Sequence, residues 1–205
     1  MSDKNLDTQE QIFEAACRVF QRKGYAGARM QEIADEAEIN KSMLHYYYRS
    51  KDKLFQEVFQ REIKRLFPVI FGVLDSDRSL PDKIDELIDT YYSFLEDNPY
   101  LVQFVLHEMH QHADRFKDFI KEESIRPPKS FLVQIEGEVK QGNMDPVNPK
   151  QLMISIIGLI LFPFIARTMI ETIFAMEESD FLEFLKERKE FLSDFILNAI
   201  NYKKP

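Results

Sequence analysis

The sequence has a single cysteine and no apolar run long enough to cross a membrane. Because Cys17 stands alone, a disulfide framework and a cysteine metal cluster are excluded, and a reducing cytosol suits the chain. The most apolar stretch, from Leu152 to Ile165, has 14 residues, whereas a membrane-spanning helix needs about 20. The N-terminus is polar and lacks the apolar region of a signal peptide. We therefore expect a cytoplasmic protein with no membrane partner.

Motifs of the common enzyme classes are also missing. The chain has no Gly-rich phosphate loop, no CxxC pair and no HExxH sequence. Serine, histidine and aspartate residues occur, but no local nucleophile elbow brings them together. We therefore expect that the protein is not an enzyme and that it binds no cofactor.

Acidic residues outnumber basic ones by 35 to 27, which gives a net charge of −8. The excess lies in the later part of the chain, because residues 1–55 carry nine basic and nine acidic groups. Residues 40–53 contain four basic residues and one acid, Asp52, and form a small basic segment. Binding to nucleic acid needs a local excess of positive charge. The charge pattern therefore directs any DNA-binding role to the beginning of the chain.

Apolar residues recur with helical spacing, and no segment shows the alternation of a strand. A capping box at Thr8 and Gln11 predicts the start of the first helix. Asn40 and Ser50 are the predicted N-caps of the third and fourth helices. A long apolar helix is predicted over residues 150–176. The predicted fold class is all-α, with about nine helices.

Two of the short helices, joined by Glu38-Ile39-Asn40, have the spacing of a helix-turn-helix. The surrounding segment runs from Thr8 to Phe55 and reads TQEQIFEAACRVFQRKGYAGARMQEIADEAEINKSMLHYYYRSKDKLF. It resembles the head of the tetracycline-repressor (TetR) family, because the family's landmarks occur in order and at its intervals. They are the Ile-Phe pair at residue 12, Gly24-Tyr25, Ile33-Ala34, Leu44, Tyr48, Ser50-Lys51 and Leu54-Phe55.

The resemblance implies two functional domains. Residues 1–50 would be the three-helix DNA-binding head, which contains the helix-turn-helix. Residues 51–205 would be a larger helical body that binds an effector and forms a dimer. The motif itself covers about a quarter of the chain, and the rest has no signature of its own.

The third predicted helix has an inner and an outer face. At about 100° per residue, Leu44 and Tyr48 share the face that packs on the two preceding helices. The outer face and its flanks offer side chains that can reach base edges in a major groove. These are Lys41, Ser42, Met43, His45 and Tyr46. For each of them alone, a plain solvated surface position is the alternative interpretation.

The resemblance also implies contacts with the DNA backbone. In the family, the equivalents of Lys51, of His45 and of Tyr46 touch the backbone, as does the start of the second helix. In this chain that start is Arg29. We therefore predict backbone contacts for these four residues.

Three positions depart from the family pattern. Glu38 occupies the turn where glycine is usual, so it must adopt the turn without the conformational freedom of glycine and adds a negative charge near the DNA. Ala28 and Arg29 stand where threonine is favoured. His45 replaces a tyrosine, which makes a mild pH dependence of DNA affinity conceivable. These changes bear on the operator sequence more than on the fold.

The region after Phe55 contains fifteen of the 18 phenylalanines. Such rings can line an effector pocket, as the resemblance implies, or can form ordinary core. The candidate pocket residues are Phe67, Phe71, Phe94, Phe104, His107, Phe131 and Phe162. We expect a small apolar or amphiphilic effector, which must prefer the released shape of the protein because equal affinity for both shapes changes nothing.

The last two predicted helices have the pattern of a dimer surface. The earlier one is apolar nearly all round, and the final one repeats apolar residues along a stripe from Phe181 to Ile200. Two such helices from each subunit would form a four-helix bundle, as in the family, although packing within one chain is the alternative. We expect a homodimer whose heads reach successive major grooves, roughly 34–36 Å apart.

Three histidines lie close together, at His107, His110 and His112. The first two are one helical turn apart, with Glu108 and Asp114 nearby, so a metal ion is conceivable. The spacing matches no recognised metal motif, and we predict no metal. A polar helix end or hydrogen bonding to an effector is the alternative.

These features together predict a ligand-responsive, DNA-binding transcription regulator, and by the family's commoner habit a repressor. Its predicted partners are a double-stranded DNA operator, a small effector and a second copy of the chain. The alternative is a helical interaction module that has kept the helix-turn-helix and lost DNA binding.

Overall fold

The computed structural model describes residues 3–203. Within this range the side chains of the following residues lie outside the described part: residues 3–6, Gln21, Tyr100, Gln103, Phe104, His107, Glu108 and Gln111. The described residues form eleven helices and no strand: α1 (Asp3–Gly27), α2 (Met30–Glu36), α3 (Lys41–Tyr47), α4 (Lys51–Asp75), α5 (Leu80–Asp97), α6 (Tyr100–Gln111), α7 (Ala113–Glu122), α8 (Lys129–Gln141), α9 (Pro149–Ile165), α10 (Arg167–Phe174) and α11 (Glu178–Ala199). The all-α prediction is confirmed, with eleven helices where about nine were expected.

The first helix is longer than its sequence signals suggest. It begins at Asp3, so the start predicted at Thr8 is wrong. Acidic residues favour the positive N-terminal end of a helix, and Asp7 lies before the predicted capping box. The helix bends at Gly24, where φ is 63° and ψ is 178°. Only glycine adopts that backbone without steric conflict, and only two residues separate α1 from α2.

The apolar helix predicted over residues 150–176 is two helices, α9 and α10, bent by 69°. Arg167 is the first residue of α10 and makes polar contacts on the C-terminal side of the break. Its guanidinium donates to Glu171 within α10 at 2.7 Å and to Glu178 at the start of α11 at 3.2 Å. No single helix in the described part of the chain is long and apolar enough to cross a membrane; α9 and α10 satisfy length and composition only as this bent pair.

The chain divides into two compact units. The head unit comprises residues 1–66 and 98–111, which include α1 to α3, the first part of α4, and α6. The body unit comprises residues 67–97 and 112–205, which include the end of α4, α5 and α7 to α11. The helix-turn-helix therefore lies in the head unit alone.

In the head unit, α2 packs on α1, α3 packs on α2, and α6 packs on α1. Its core consists of aliphatic and aromatic side chains that are fully buried, among them Ile12, Phe20, Ile33, Leu44 and Leu54. Burial of one such side chain stabilises the fold by roughly 1.5–3 kcal/mol. This apolar centre fixes which face of α3 points outward.

In the body unit, α11 packs on α5 and α9, while α8 and α10 pack on α9. A buried lysine ties three helices together: the Lys83 ammonium donates to the carbonyl of Leu74 at 2.8 Å and to the side-chain oxygen of Gln134 at 2.7 Å. Burial lowers the pKa of Lys83. The end of α4, the start of α5 and α8 are thus joined around one cation.

Candidate nucleic-acid interface

Helix α3 is held by a cap at one end and by two buried side chains along its inner face. The Asn40 side chain accepts a hydrogen bond from the Met43 backbone N–H at 2.7 Å, as its predicted N-cap role requires. Leu44 is fully buried and Tyr48 is buried, which confirms the predicted inner face. The Tyr48 hydroxyl donates to Glu57 on α4 at 3.0 Å, and its pKa is raised, mainly by burial. These contacts leave the helix little freedom to rotate about its axis.

The opposite face of α3 points away from the head-unit core. We call it the outer face, and its members are Lys41, Ser42, Met43, His45 and Tyr46, all of which are exposed. Tyr46 is 79% exposed and Met43 is 38% exposed. The Tyr46 ring meets the Tyr47 ring edge-on, with centroids 5.4 Å apart, and this contact orients the ring. The structure therefore brings together the five residues that the sequence suggested for base contacts.

Lys51, predicted to hold a phosphate, makes two contacts within the head unit. Its ammonium donates to the carbonyls of Tyr25 at 2.7 Å and Ala28 at 3.0 Å, and lies 4.3 Å from the centre of the Tyr25 ring. A lysine ammonium has three N–H donors, so one remains for another acceptor. Lys51 thus ties the end of α1 to the start of α4, while its contact with phosphate stays a prediction.

Arg29, the other predicted backbone contact outside α3, precedes the first residue of α2. Arginine has no acceptor for a capping bond. Glu32 closes this helix end instead: it accepts from the Arg29 backbone N–H at 3.3 Å and from the Lys23 ammonium at 2.8 Å. The hydrogen bond from Lys23 is the main reason that the pKa of Glu32 is lowered. The Arg29 side chain is exposed, and its charge is available at the surface.

Glu38 adopts the backbone conformation expected of the glycine that usually occupies this turn in the family. Its φ is 53°, in the left-handed region that favours glycine. A non-glycine residue there costs roughly 1–2 kcal/mol. The side chain is exposed, so a carboxylate accompanies the strained turn just before α3. The expectation that Glu38 makes the turn without the freedom of glycine is confirmed.

Ion pairs hold α2 against α1. Glu36 accepts from Arg22 at 2.5 Å and from Arg18 at 2.8 Å. These hydrogen bonds, with that of Arg22 the larger, lower the pKa of Glu36. The charge of Glu36 is therefore balanced by two arginines of the neighbouring helix, and it opposes an approaching phosphate less than an unpaired carboxylate would.

Two further basic residues near α3 were not predicted to contact DNA. Arg49 and Lys53 are both exposed and flank the start of α4. The sequence signal for them was the positive balance of residues 40–53. The Ser50 hydroxyl accepts from the Lys53 backbone N–H at 3.2 Å, which confirms Ser50 as the cap of α4. Two exposed basic side chains therefore lie at the start of α4, a few residues after the end of α3.

The body unit contains a cavity of about 90 Å³. Two of the predicted pocket residues, Phe67 and Phe71, line it, and their ring centres are 5.3 Å apart. Phe131 is fully buried, Phe94 is partly buried and Phe162 is 50% exposed on α9, and none of these three lines this cavity. The side chains of Phe104 and His107 lie outside the described residues. Among the described residues no group of three histidine, cysteine or acidic side chains is placed to hold a metal ion.

Among the described residues, nine large apolar side chains on the last three helices of the body unit are exposed, and we refer to them together as the α9–α11 face. Its members are Ile154, Phe162, Ile165, Met169, Ile173, Phe174, Leu182, Phe191 and Phe195. Phe191 and Phe195 stack on each other with centroids 5.4 Å apart. The last helix buries Phe181, Leu185, Leu192 and Ile196 on its other side. Helix α11 therefore packs an apolar side on the unit's core and exposes Leu182, Phe191 and Phe195 among charged side chains.

Comparison with known proteins identifies relatives along the whole chain. A family profile described as "Bacterial regulatory proteins, tetR family" matches residues 12–58, and one described as "Tetracyclin repressor-like, C-terminal domain" matches residues 74–203. The chain is 36% identical over 101 residues to the HTH-type transcriptional repressor SCO4008 of Streptomyces coelicolor, and this match spans 49% of each protein. It is 29% identical over 147 residues to the HTH-type transcriptional regulator RutR of Escherichia coli K12, spanning 71% of this chain and 68% of the relative.

A solved structure gives the same fold. The TetR transcription regulator from Haloarcula marismortui superposes with a TM-score of 0.65 at 23% identity, over 95% of this chain and 98% of that one. The helix-turn-helix geometry, the two profile matches and this likeness agree with one another. The C-terminal profile alone covers more than half of the sequence. The chain belongs to the TetR family of bacterial regulatory proteins.

Proposed function

We propose that the protein is a ligand-responsive transcription regulator, a repressor that a small apolar or amphiphilic effector releases from its DNA operator. The single observation that carries the proposal is the outer face of α3, where Tyr46 and four neighbours stand exposed above the buried Leu44. A repressor rather than an activator is supported by the name of the relative SCO4008. We also propose a cytoplasmic location, because a bacterial operator lies in the cytoplasm.

The outer face has the chemistry that reading a duplex requires. A short helix with hydroxyl, imidazole and ammonium groups fits a major groove, which exposes a distinct pattern of donors and acceptors for each base pair. Lys41, Ser42, Met43, His45 and Tyr46 are proposed to meet bases or the adjoining backbone. Arg29 and Lys51 are proposed to hold phosphates and so fix the register of the head on DNA. Residues 1–50 are thus assigned to DNA binding and residues 51–205 to effector binding and dimerisation.

The α9–α11 face supports a homodimer. Nine exposed phenylalanine, isoleucine, leucine and methionine side chains lie on these three helices, and exposed apolar residues that form one patch mark an interaction site. A second copy of the same face is its simplest partner, because a two-fold interface pairs a patch with itself. Two DNA-binding heads per dimer would recognise a palindromic operator with half-sites about 34–36 Å apart.

The body-unit cavity supports an effector site. Its walls are apolar and include Phe67 and Phe71 of α4, and α4 also supplies Lys51 and residues of the head unit. An effector that fits one shape of α4 and its neighbours better than another would shift the population between DNA-bound and released forms. Because a shift from 1:99 to 99:1 needs about 10⁴-fold differential affinity, even a moderate preference gives a partial response.

The experiment that tests the proposed function is selection of bound duplexes from a random pool by the full chain. We expect a palindromic site, and affinity for it should fall steeply with salt, as counterions are displaced at each phosphate contact. Repeating the selection with apolar and amphiphilic compounds should identify one that releases the DNA. Recovery of no enriched sequence, with no duplex bound at low salt, would reject the proposal.

One observation favours the interaction-module alternative. Glu38 places an exposed carboxylate beside α3, and two of the three Lys51 donors are already used within the head unit. A module that no longer bound DNA would keep the fold and the dimer but ignore every duplex. The same salt-dependent binding measurement separates it from the regulator.

A further inference from the structure

The body-unit cavity is lined almost entirely by apolar side chains, with one cation among them. Its walls come from the end of α4, from α5, from α9 and from the segment that links α7 to α8. The lining residues other than the cation include Phe67, Phe71, Leu87, Met153 and Ile157. The cation is Arg126, which lies in the linker. A neutral hydrocarbon would leave this guanidinium unused, and a sugar or nucleotide would have its polar groups stranded against apolar walls.

Arg126 is set in a linker with little conformational freedom. Ser124, two residues before it, has a φ of 52°, and Pro127 and Pro128 follow it directly. Proline fixes its own φ and restricts the residue before it to extended conformations, so the backbone of Arg126 is constrained before any ligand arrives. Its side chain is exposed, and among the described residues it has no ion pair with a carboxylate. The guanidinium is therefore available to an anion at the edge of the cavity.

We propose that the cavity binds an amphiphilic carboxylic acid, with its apolar tail between α4, α5 and α9 and its carboxylate on Arg126. This inference rests on the proposed function, because it names the chemical class of the effector. The planar guanidinium of an arginine donates two parallel hydrogen bonds to a carboxylate, which accepts both. The apolar walls and the cation thus select for two different parts of one ligand.

Tyr91 of α5 adds a second polar group to the lining. It is buried, and burial raises the pKa of its hydroxyl to about 12. The hydroxyl therefore stays neutral at physiological pH and can donate a hydrogen bond without repelling an anionic ligand. The lining of the cavity therefore includes one cation, Arg126, and one neutral hydroxyl group, that of Tyr91.

The size of the cavity links binding to a change of shape. Pockets for drug-sized ligands measure roughly 300–1,000 Å³, whereas this one measures about 90 Å³. A tail of more than a few carbons enters only if the walls from α4 and α9 separate. Such a ligand binds the widened shape better than the closed one, which is the differential affinity that a switch requires.

The test is direct binding of sodium octanoate and 1-octanol to the full chain, measured by calorimetry and by thermal shift without DNA. The two probes share a tail, so their difference isolates the carboxylate. We expect octanoate to bind about fivefold more tightly than octanol, the upper range for a pair at a partly exposed site. In Arg126→Gln that preference should vanish while octanol binding is unchanged. The matched control is Lys129→Gln, which removes an exposed charge three residues away that does not line the cavity.

A further variant tests where the tail lies. Ile157→Phe fills part of the cavity and should weaken binding of both probes by the same factor, provided that its melting temperature without ligand matches the parent. Equal affinity of the parent for octanoate and octanol, or an octanoate preference that survives Arg126→Gln, would overturn the inference. Because these measurements use no DNA, an octanoate preference without any duplex binding would reject the proposed function and leave the site standing.

Discussion

The head unit and the body unit expose opposite kinds of side chain. In the head unit the outer face of α3 is polar or amphipathic, and an acid of α2, Glu36, is paired with Arg18 and Arg22. In the body unit the α9–α11 face leaves phenylalanines such as Phe191 in contact with solvent. The first surface suits a hydrated, anionic partner such as a duplex, and the second suits another apolar surface. The proposed reading of DNA and the proposed pairing of two copies therefore use different surfaces of the chain.

The two units also differ in what fixes their functional surfaces. The orientation of α3 depends on a few buried residues, Leu44 and Tyr48, and on the cap at Asn40. The α9–α11 face is spread over three helices that pack on one another, so no single cap or core residue controls it. Substitutions should therefore affect one unit without the other, and the following variants test that independence.

The largest effect is expected from Phe191→Asp in the body unit. The ring is 56% exposed, so the change should leave the fold of one chain intact. In a two-fold interface the substitution occurs twice, and each lost phenylalanine costs roughly 1.5–3 kcal/mol, so the dimer should weaken at least about 100-fold. A dilution series in sedimentation or light scattering measures the effect. Lys186→Asp, an exposed polar position on the same helix, is the control; an equal loss there, or none in either variant, would contradict the dimer surface.

The next effect is expected from Leu44→Ala in the head unit. Removal of this fully buried side chain should destabilise the head unit by about 3 kcal/mol, because it leaves a cavity that the structure cannot close. Hydrogen exchange of the amides in α1 to α3 measures the loss. Ser42→Ala on the outer face should change stability by less than about 0.5 kcal/mol. Dimerisation should be unaffected, and its loss in Leu44→Ala would show that the two units are not independent.

Lys51→Met tests whether this lysine holds the fold, the phosphate or both. The change removes two hydrogen bonds to the carbonyls of Tyr25 and Ala28, so the head unit should lose about 2 kcal/mol. If Lys51 also neutralises a phosphate, the slope of log affinity against log salt should fall by about one. The control is Lys53→Met, an exposed neighbour whose side chain makes no such contacts and whose loss should leave stability unchanged. A stable Lys51→Met with unaltered salt dependence would remove both roles.

The smallest effect is expected at the turn. Glu38→Gly should stabilise the head unit by about 0.5–1 kcal/mol, since glycine adopts the positive φ freely but loses more entropy on folding. The same change removes a negative charge and should tighten DNA binding severalfold at low salt. Glu38→Gln separates the two causes, because it removes the charge and keeps the strained backbone. A gain in stability in the glutamine variant equal to that in the glycine variant would show that strain is not the cause.

Local periodicity was enough to predict the functional helix. The spacing of Leu44 and Tyr48 placed both on the inner face, and Ser42 and Tyr46 lie on the outer face as that spacing requires. The cap at Asn40 was equally readable, because it acts within three residues. Helical spacing and an N-cap depend only on neighbouring residues in the sequence, so both can be predicted without the tertiary structure.

Features that depend on distant residues could not be predicted. The partners of Lys51 are 26 and 23 residues away in the sequence. No residue next to Lys51 indicates that its ammonium donates to two distant backbone carbonyls. The break at Ala166 could not be predicted because α9, which precedes it, is apolar on nearly every side and shows no helical face whose interruption would mark its end. Arg126 likewise became a candidate only when the linker was seen to border a cavity. The fold of the head unit could thus be predicted from the sequence, while the lining of the body-unit cavity became known only from the tertiary structure.

The measurement that tests the central claim most directly is binding of the selected duplex as a function of salt, by anisotropy of a labelled DNA. We compare the parent chain with the double variant Ser42→Ala/Tyr46→Ala, whose changes lie on the outer face alone. The parent should lose roughly 10³–10⁵ in affinity between 50 and 200 mM salt if it makes six to ten phosphate contacts. The double variant should keep that slope but lose its preference for the selected site over a random duplex. Undiminished preference in the double variant, or a parent chain indifferent to DNA at 50 mM salt, would show that this face of α3 does not read the operator.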